Sequence, residues 1–301
     1  MNDIDKIDQR ILKEQKLKDY DGMDKVVHAE EKRLDLEELR KNRPAFSAQT
    51  GIPMLDECLD GMRKGQLVVV SGPPKHGKTS LCQTFTKRFI EQGHQCLWFS
   101  YEMGYEELFE KFPMQNLDFY LPSYLETGNV DWIEDKIIES KQKYNTEIVF
   151  IDHLDFLRDT NILKGINLNL STYVGGIVQK IKRIAVEQNV IIFLMSHIKK
   201  ENWAGKELPG AELVRDSGQI VQLADILLMV MRRIAKRDAI DIYDGNEAMV
   251  GVMANRHNGK TKKIPLILVD GEFKEKQFFD GEVYKKSGSP EAIDDKLSNY
   301  W

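Results

Sequence analysis

The segment from Gly72 to Thr79 has the residue types and spacing needed to bind phosphate. Its sequence, GPPKHGKT, matches the pattern GxxxxGK[ST] and stands between an apolar run and a helical pattern, which is the context in which this pattern forms a phosphate loop. In such a loop, backbone N–H groups and the helix N-terminus surround phosphate oxygens. Lys78 would add a positive charge toward the β- and γ-phosphates, and the Thr79 hydroxyl would bind Mg²⁺.

The loop therefore predicts a site for ATP, or another NTP, with Mg²⁺. The alternative is a glycine-rich turn that binds no nucleotide, which requires a chance match between a strand and a helix. The predicted nucleotide-binding residues are Gly72, Pro73, Pro74, Lys75, His76, Gly77, Lys78, Thr79 and Ser80.

Two carboxylates are predicted to complete this site. Asp152 follows the apolar run at 148–151, as expected for a buried strand whose carboxyl end faces a ligand in an open α/β sheet. At that position it would hold Mg²⁺. Glu102 lies in the sequence Ser-Tyr-Glu-Met at the end of another predicted strand, where a carboxylate can orient and deprotonate an attacking water. Taken alone, Glu102 also fits the ordinary start of the helix expected near Tyr105.

Composition limits the classes of protein to be considered. The chain has 301 residues, of which 42% are hydrophobic and 30% charged, and its net charge is −5. Because the whole chain has no basic excess, contact with nucleic acid must come from local patches. The three cysteines form no CxxC pair, and no apolar run approaches the ~20 residues of a membrane span. With no secretory signal at the N-terminus, we expect a cytoplasmic protein without a membrane partner.

Alternating strand and helix patterns predict the elements that position these side chains. Strands are expected at Gln66–Ser71, Cys96–Tyr101, Glu147–Ile151, Val190–Ser196 and Ile226–Met231, and helices at Thr79–Glu91, Asp131–Tyr144 and Thr172–Gln188. The strands are almost continuously apolar, which is typical of a mostly parallel, twisted sheet with helices on both faces. Two later strands, Ala248–Asn255 and Ile264–Val269, predict a C-terminal hairpin at the sheet edge. The predicted class is therefore an α/β fold with a phosphate loop.

The segments on either side of this fold differ in composition. Residues 1–44 are rich in charged residues, with Ile4, Ile7 and Ile11 at helical spacing on a narrow stripe. They form either a solvated helical extension or an arm that docks on a neighbouring subunit. Residues 279–301 are polar and predict a loose tail. The predicted organisation is an arm at 1–44, an ATPase domain at 45–278 and a tail at 279–301.

Five motifs occur in a fixed order: GPPKHGKTS, SYEM, IVFIDHLDFL, VIIFLMSHIKK and LVRDSGQIVQLADILLMV. Together they resemble the RecA-like motor domain of the DnaB family of hexameric replicative helicases, over roughly residues 47–276. Phage primase-helicases and the mitochondrial helicase Twinkle belong to the same superfamily. The resemblance implies a RecA-like P-loop NTPase fold, NTP hydrolysis at subunit interfaces, and translocation on single-stranded DNA during DNA replication.

The resemblance also assigns roles to individual residues. Lys78 and Thr79 fall on the family's phosphate and Mg²⁺ positions. Glu102 lies where the family has its catalytic base, and Asp152 lies on its Mg²⁺-associated acid. His197 stands where phage members carry a histidine that senses the γ-phosphate and links it to the following DNA-binding loop, a hydrogen-bonding role that suits an imidazole. Without the resemblance, His197 is as readily explained as a core histidine.

The loop that follows His197 has three lysines within eight residues and glycines at 205 and 210. In the family, the equivalent loop lines a central pore and grips the phosphate backbone of single-stranded DNA, a contact that is electrostatic and independent of sequence. Two basic residues after Asp152 are candidates for a second pore loop. Each of these side chains also fits a solvated basic turn. The predicted DNA-binding residues are Lys199, Lys200, Lys206, Arg158 and Lys164.

Arg256 is the candidate for an arginine that reaches the ATP of a neighbouring subunit. It lies three residues before Gly259, as in the phage pattern, whereas the bacterial pattern has arginine at the position of His257. The lysine that commonly accompanies it in the family is missing, since Ala254 and Asn255 stand nearby. An arginine here would stabilise charge that develops on the transferred phosphoryl group.

Three functions follow from these predictions. The first is a ring helicase, a homo-oligomer and by resemblance a hexamer, with single-stranded DNA and a primase, loader or polymerase as partners. The second is a RecA-like ATPase that is not a helicase and acts as a recombination mediator, loader or scaffold. The third is a degenerate nucleotide-binding subunit, against which the intact set of Lys78, Thr79, Glu102 and Asp152 argues. In the first case, residues 1–44 would correspond to the family's linker helix.

Overall fold

The structure, a computed structural model, describes residues 3–22, 25–41, 46–158, 170–198, 208–214, 217–237 and 240–276. The chain divides into two units, Met1–Phe46 and Ser47–Trp301. The first unit contains helices α1 (Asp3–Lys18) and α2 (Ala29–Lys41). On α2, Arg33 forms ion pairs with Glu30 and Glu37, one turn away on either side. The described part of this segment is thus mainly helical, as its sequence pattern indicates.

An eight-stranded sheet, counted over the described residues, is the frame of the second unit. Its strands are β1 (Leu67–Gly72), β2 (Cys96–Ser100), β3 (Ile148–Asp152), β4 (Ile191–His197), β5 (Ile226–Arg237), β6 (Ile240–Asn255), β7 (Lys262–Val269) and β8 (Glu272–Glu275). Their order across the sheet is β2-β3-β4-β1-β5-β6-β7-β8. The strands from β2 to β5 in this order are parallel, and β6, β7 and β8 add antiparallel pairs. The predicted α/β fold with a mostly parallel sheet is confirmed.

Helices cover both faces of the parallel strands. Those of the second unit are α3 (Pro53–Leu59), α4 (Lys78–Glu91), α5 (Tyr105–Glu110), α6 (Val130–Tyr144), α7 (Leu170–Glu187) and α8 (Ser217–Leu223), with 3₁₀ turns at Leu154–Leu157 and Ala211–Leu213. On one face, apolar residues of α6, α7 and α8 join the side chains of the strands in a single buried cluster. On the other face, Phe89 of α4 packs against Phe150 and Phe193, with ring centroids 6.4 and 5.8 Å apart. No helix in the described ranges is long and apolar enough to cross a membrane.

The continuous apolar runs of the central strands follow from this double covering. Every residue of β1, β2 and β3 is buried, because successive side chains point to opposite faces and both faces carry helices. Each large apolar side chain buried in this way contributes roughly 1.5–3 kcal/mol to stability. The central strands therefore hold their carboxyl ends, and the side chains found there, in fixed positions.

The antiparallel part of the sheet is larger than the sequence predicts. β5 and β6 pair as far as Arg237 and Ile240, well beyond the predicted apolar runs, and β8 is an additional strand. Ladder hydrogen bonds between the two strands hold these extensions, and such bonds leave no periodic signal in a polar sequence. The predicted hairpin is confirmed, and β8 extends it as a short edge strand against β7.

Candidate active site

Four strand ends meet at one edge of the sheet and bring the predicted site residues together. In the strand register, Gly72 at the end of β1 lies beside His197 at the end of β4, and Ser100 at the end of β2 lies beside Asp152 at the end of β3. Because these strands are parallel, their carboxyl ends share an edge, where ligands bind in open α/β sheets. We call this edge the carboxyl edge.

The phosphate loop leaves β1 at a position that only glycine can occupy. Gly72 has a φ of 156°, and a Cβ atom built on it would lie 2.2 Å from the backbone oxygen of Val230. Gly77 has a φ of 92° and is the N-cap of α4. The two glycines thus bring the loop close to β5 and start α4 so that its first N–H groups face the loop.

The middle of the loop is braced by the sheet. His76 is 3% exposed, and its Nδ1 accepts a hydrogen bond from the N–H of Arg232 on β5 (3.1 Å). Pro73 is buried, Pro74 is half-buried and Lys75 is exposed. The loop therefore has a fixed inner side and a solvent-facing tip. Ser80, also predicted to bind nucleotide, is half-buried in the first turn of α4.

Lys78 is buried within the loop, with 4% of its surface exposed. Its Nζ donates hydrogen bonds to the backbone oxygens of Gly72 (3.2 Å) and Pro73 (3.1 Å). Burial lowers the pKa of Lys78 to about 8, although the nearby Glu102 and Asp152 carboxylates oppose this shift. Because burial disfavours an ammonium that has no anionic partner in contact, a bound phosphate would stabilise the charged form of this side chain.

Thr79 and Asp152 form the candidate Mg²⁺ site. The Thr79 hydroxyl donates to Oδ2 of Asp152 at 2.7 Å. Asp152 is 0% exposed, and its Oδ1 has no hydrogen-bond partner among the described residues. Burial raises the pKa of Asp152 to about 7; the Thr79 hydrogen bond opposes the shift, and the Glu102 carboxylate adds to it. A hydroxyl and a buried carboxylate oxygen that lacks a donor are hard oxygen ligands, so these residues fit Mg²⁺.

Glu102 is held beside Asp152 by its backbone. The N–H groups of Tyr101 and Glu102 both donate to the backbone oxygen of Asp152, at 2.6 and 3.1 Å. The side chain of Glu102 is 42% exposed and lines an open cavity of about 300 Å³ with Tyr101, Met103 and Tyr105. A carboxylate in this position can reach a water molecule in front of the phosphate loop.

Two histidines stand behind Glu102. His153 is 3% exposed, and its Nε2 lies 3.8 Å from Oε2 of Glu102. Its ring is perpendicular to that of His197, with centroids 4.1 Å apart. Burial lowers the pKa of His153, against the opposing effects of Asp155 and Glu102. The sequence motif contains His153, but its neighbours Glu102 and His197 come from the segment after β2 and from β4, so only the folded structure identifies it as part of the site.

Arg256 lies at the opposite edge of the parallel strands. Its N–H donates to the backbone oxygen of Asp225, and Asp225 in turn hydrogen-bonds to Leu67 at the start of β1. The phosphate loop begins at the other end of β1, about 17 Å away for a strand of this length. Arg256 is exposed, and this separation exceeds the reach of its side chain. The arginine therefore cannot contact a nucleotide bound in its own phosphate loop.

The predicted DNA-binding residues are only partly described. Arg158 forms an ion pair with Asp155 at 2.5 Å, with 11% of its side chain exposed. Three other candidates lie between His197, which ends β4, and Leu208, and one lies before α7. These four, Lys164, Lys199, Lys200 and Lys206, fall outside the described residues.

A model of the DnaB-like helicase C-terminal domain family matches this chain over residues 47–130 and 113–275. These matches contain the phosphate loop, Glu102, Asp152, His197 and Arg256.

Curated replicative DNA helicases are similar to this chain over most of its length. The replicative DNA helicase DnaB of Leifsonia xyli subsp. xyli is 24% identical over 269 residues, which cover 76% of this chain and 56% of that protein. The corresponding helicase of Mycoplasma pneumoniae is 26% identical over 221 residues, covering 61% of this chain and 46% of its own length. The chain thus spans about half the length of these relatives.

Solved structures share the fold. A DnaB-like replicative helicase, described with its interactions with primase, superposes with a TM-score of 0.65 at 19% identity, over 85% of this chain and 69% of the other. A solved ATPase domain superposes with a TM-score of 0.67 at 19% identity, over 84% of this chain and the whole of the other. Both similarities support the RecA-like arrangement of the sheet and helices.

Proposed function

Because this chain belongs to the DnaB-like helicase C-terminal domain family, we propose that it hydrolyses ATP with Mg²⁺ to translocate on single-stranded DNA during DNA replication. One observation carries the proposal. The phosphate loop, the Thr79–Asp152 pair and the Glu102 carboxylate lie together at the carboxyl edge, where each has the chemistry that phosphoryl transfer to water requires.

In the proposed reaction, the loop N–H groups and the Lys78 ammonium hold the nucleotide phosphates. Lys78 exchanges its two backbone oxygen acceptors for phosphate oxygens, which are stronger partners because they are charged. Thr79 and Asp152 would hold Mg²⁺, which neutralises charge on the β- and γ-phosphates when it is bound. Glu102 orients a water molecule and takes its proton as the water oxygen attacks the γ-phosphorus and the bond to the β–γ bridging oxygen breaks.

His197 is proposed to connect this reaction with DNA. It is the last residue of β4, and the segment with Lys199, Lys200 and Lys206 follows it directly. A histidine that hydrogen-bonds to the γ-phosphate would change its position when that phosphate leaves, and the following lysines would move with it. Phosphate contacts from lysines hold single-stranded DNA without regard to sequence.

Two further basic residues are weaker members of the proposed DNA interface. Lys164 remains a proposal from the sequence. Arg158 could contact DNA only by exchanging its ion pair with Asp155 for a phosphate. We therefore propose that the segment after His197 supplies the main contact.

Arg256 supports a site shared between subunits. Since it is exposed at the edge opposite its own phosphate loop, it can stabilise the transition state only in a neighbouring copy of the chain. Head-to-tail contacts of this kind form a ring when the rotation between copies closes, and a hexamer is the ring that the family implies. The proposed compartment is the cytoplasm of a bacterial or phage-infected cell, with a primase, loader or polymerase as further partners.

The test is ATP hydrolysis by the purified full chain, sized by light scattering, with and without single-stranded DNA, followed by strand displacement on a forked substrate. We expect an oligomer whose ATPase rate rises several-fold with DNA and which separates the strands. A DNA-stimulated ATPase that fails to separate strands would instead favour a mediator or loader. The absence of ATP hydrolysis under every condition would contradict the proposal.

A further inference from the structure

His153 is a buried imidazole at the site that the reaction above does not use. It follows Asp152 directly and lies between the predicted base and the predicted phosphate sensor. Its Nε2 is 3.8 Å from Oε2 of Glu102, and its ring stands perpendicular to that of His197 at a centroid distance of 4.1 Å. It therefore faces both the predicted catalytic base and the predicted phosphate sensor.

The hydrogen bond on the other ring nitrogen fixes the tautomer of His153. The N–H of Asp155 donates to Nδ1 at 3.1 Å, so that His153 caps the 3₁₀ turn Leu154–Leu157. A nitrogen that accepts a hydrogen bond uses its lone pair, and a neutral imidazole then carries its proton on the other nitrogen. The Nε2–H donor of His153 consequently faces the carboxylate of Glu102.

This tautomer argues against a metal at the same place. Glu102, His153 and His197 have potential ligand atoms within 4.8 Å of one another, and two histidines with a carboxylate are a common ligand set. A protonated Nε2 has no lone pair to give to a metal. Freeing it would require a proton on Nδ1 and the loss of the bond from Asp155. The cluster is better suited to a hydrogen bond than to a metal ion.

We propose that His153 is a positioning residue that holds the Glu102 carboxylate in place for catalysis by donating a hydrogen bond from Nε2. This inference rests on the proposed ATP hydrolysis. The Glu102 side chain is 42% exposed, so a donor on its buried side selects among its rotamers. Closing the 3.8 Å gap to hydrogen-bond distance needs a shift of about 1 Å, and catalytic contacts commonly tighten in this way when substrate binds.

The contact with His197 gives this hydrogen bond a second role. Because the two imidazole rings are packed edge to face, a displacement of His197 by the γ-phosphate also displaces the ring of His153. The orientation of Glu102 then depends on whether the γ-phosphate is present. His153 thereby couples the phosphate sensor to the base.

Two substitutions distinguish the observed hydrogen bond at Nδ1, from Asp155, and the proposed hydrogen bond from Nε2 to Glu102. In His153→Asn, the amide oxygen takes the place of Nδ1 and keeps the cap on Asp155, but nothing reaches Glu102. In His153→Gln, the amide nitrogen reaches the position of Nε2 and keeps the donor to Glu102, but the cap is lost. The measurements are kcat and KM for ATP at saturating single-stranded DNA, and the melting temperature of each full-length variant.

We expect His153→Asn to lower kcat about tenfold or more, since a misplaced catalytic group has effects of this size, with KM and melting temperature close to those of the wild type. His153→Gln should lose much less turnover, although its melting temperature should fall by about 2–4 °C with the lost cap. In a Glu102→Gln background, His153→Asn should add no further loss, because it acts through Glu102.

A His153→Asn variant with wild-type kcat would overturn the inference, as would a His153→Gln variant that loses as much turnover as His153→Asn. An additive loss in the Glu102→Gln background would also overturn it. These failures are distinct from that of the proposed function, in which the wild-type chain itself would not hydrolyse ATP and the inference would fall with it.

Discussion

The carboxyl edge and the opposite edge of the parallel strands present their functional side chains in different ways. At the carboxyl edge, Lys78 and Asp152 are buried and bonded to the loop and to Thr79. At the opposite edge, Arg256 is exposed on a turn. Asn255 secures that turn, with its side chain donating to the backbone oxygen of Cys58 and accepting from the N–H of His257.

The difference shows which part of the proposed reaction each edge can perform. The buried groups of the carboxyl edge can bind a nucleotide and activate water within one chain. An exposed arginine about 17 Å away can contribute only to another chain, and it remains solvated until that chain is present. The proposed active site is therefore complete only where the two edges of neighbouring subunits meet.

The largest effect is expected when the opposite edge loses its arginine. Arg256→Ala should lower kcat by about 10³- to 10⁵-fold, the range measured when an arginine finger is removed. ATP affinity should change little, because Lys78 and the loop remain intact. Steady-state hydrolysis and equilibrium nucleotide binding test this prediction. The matched control is Lys260→Ala, which removes another exposed cation from the same segment. Equal rates of ATP hydrolysis by the two variants would show that Arg256 takes no part in the reaction.

At the carboxyl edge, Glu102→Gln should lower kcat by about 10²- to 10⁴-fold, as expected for the loss of a general base. The variant should still bind ATP, since Gln is isosteric and the backbone bonds to Asp152 remain. Single-turnover hydrolysis and binding of a fluorescent nucleotide measure the two properties separately. Hydrolysis at the wild-type rate would show that another group accepts the proton.

ATP affinity should depend on pH through Lys78. Burial lowers its pKa to about 8, so the ammonium that binds phosphate is present below this pH and is lost above it. The Kd for ATP should rise above about pH 8, toward a tenfold increase per pH unit. Below about pH 7 it should also rise, because Asp152, with a pKa of about 7, becomes protonated and holds Mg²⁺ less well. Titrations at fixed ionic strength test this. Lys78→Arg is the control, because a guanidinium remains charged over this range, and a wild-type Kd as flat above about pH 8 as that of the variant would contradict the prediction.

The smallest effect concerns the turn that presents Arg256. Asn255 is 4% exposed, and Asn255→Ala removes its two hydrogen bonds, although Asn258 still donates to the Cys58 oxygen. At about 0.5–1.5 kcal/mol for each bond, the free energy of unfolding should fall by about 1–3 kcal/mol. Turnover should fall by only a few-fold, because the arginine itself is retained. Chemical denaturation and steady-state rates are the measurements. An unchanged denaturation midpoint would show that the side chain of Asn255 does not secure the turn.

Much of the carboxyl edge is predictable because its signals are local. An apolar run followed by a glycine-rich loop or by an aspartate predicts both a buried strand and the residue at its end. The positions of Lys78, Thr79 and Asp152 followed from this pattern, and the structure places them within hydrogen-bonding distance of the groups described above.

The parts of the site and fold that the sequence does not predict depend on contacts between segments that are far apart in the chain. His153 is identifiable only from its contacts with Glu102, which follows β2, and with His197, which ends β4. The location of Arg256 depends on β6 running antiparallel to β5, which no residue near Arg256 specifies. The polar extensions of β5 and β6 are held by backbone hydrogen bonds that any sequence can make.

The most direct test of a site shared between subunits is to mix the two inactive variants. In a ring assembled from equal amounts of Glu102→Gln and Arg256→Ala chains, about one quarter of the interfaces pair an intact Glu102 with an intact Arg256 of the neighbour. We predict that DNA-stimulated ATP hydrolysis by the mixture will clearly exceed that of either variant alone. A mixture no more active than the average of the two variants would contradict the account.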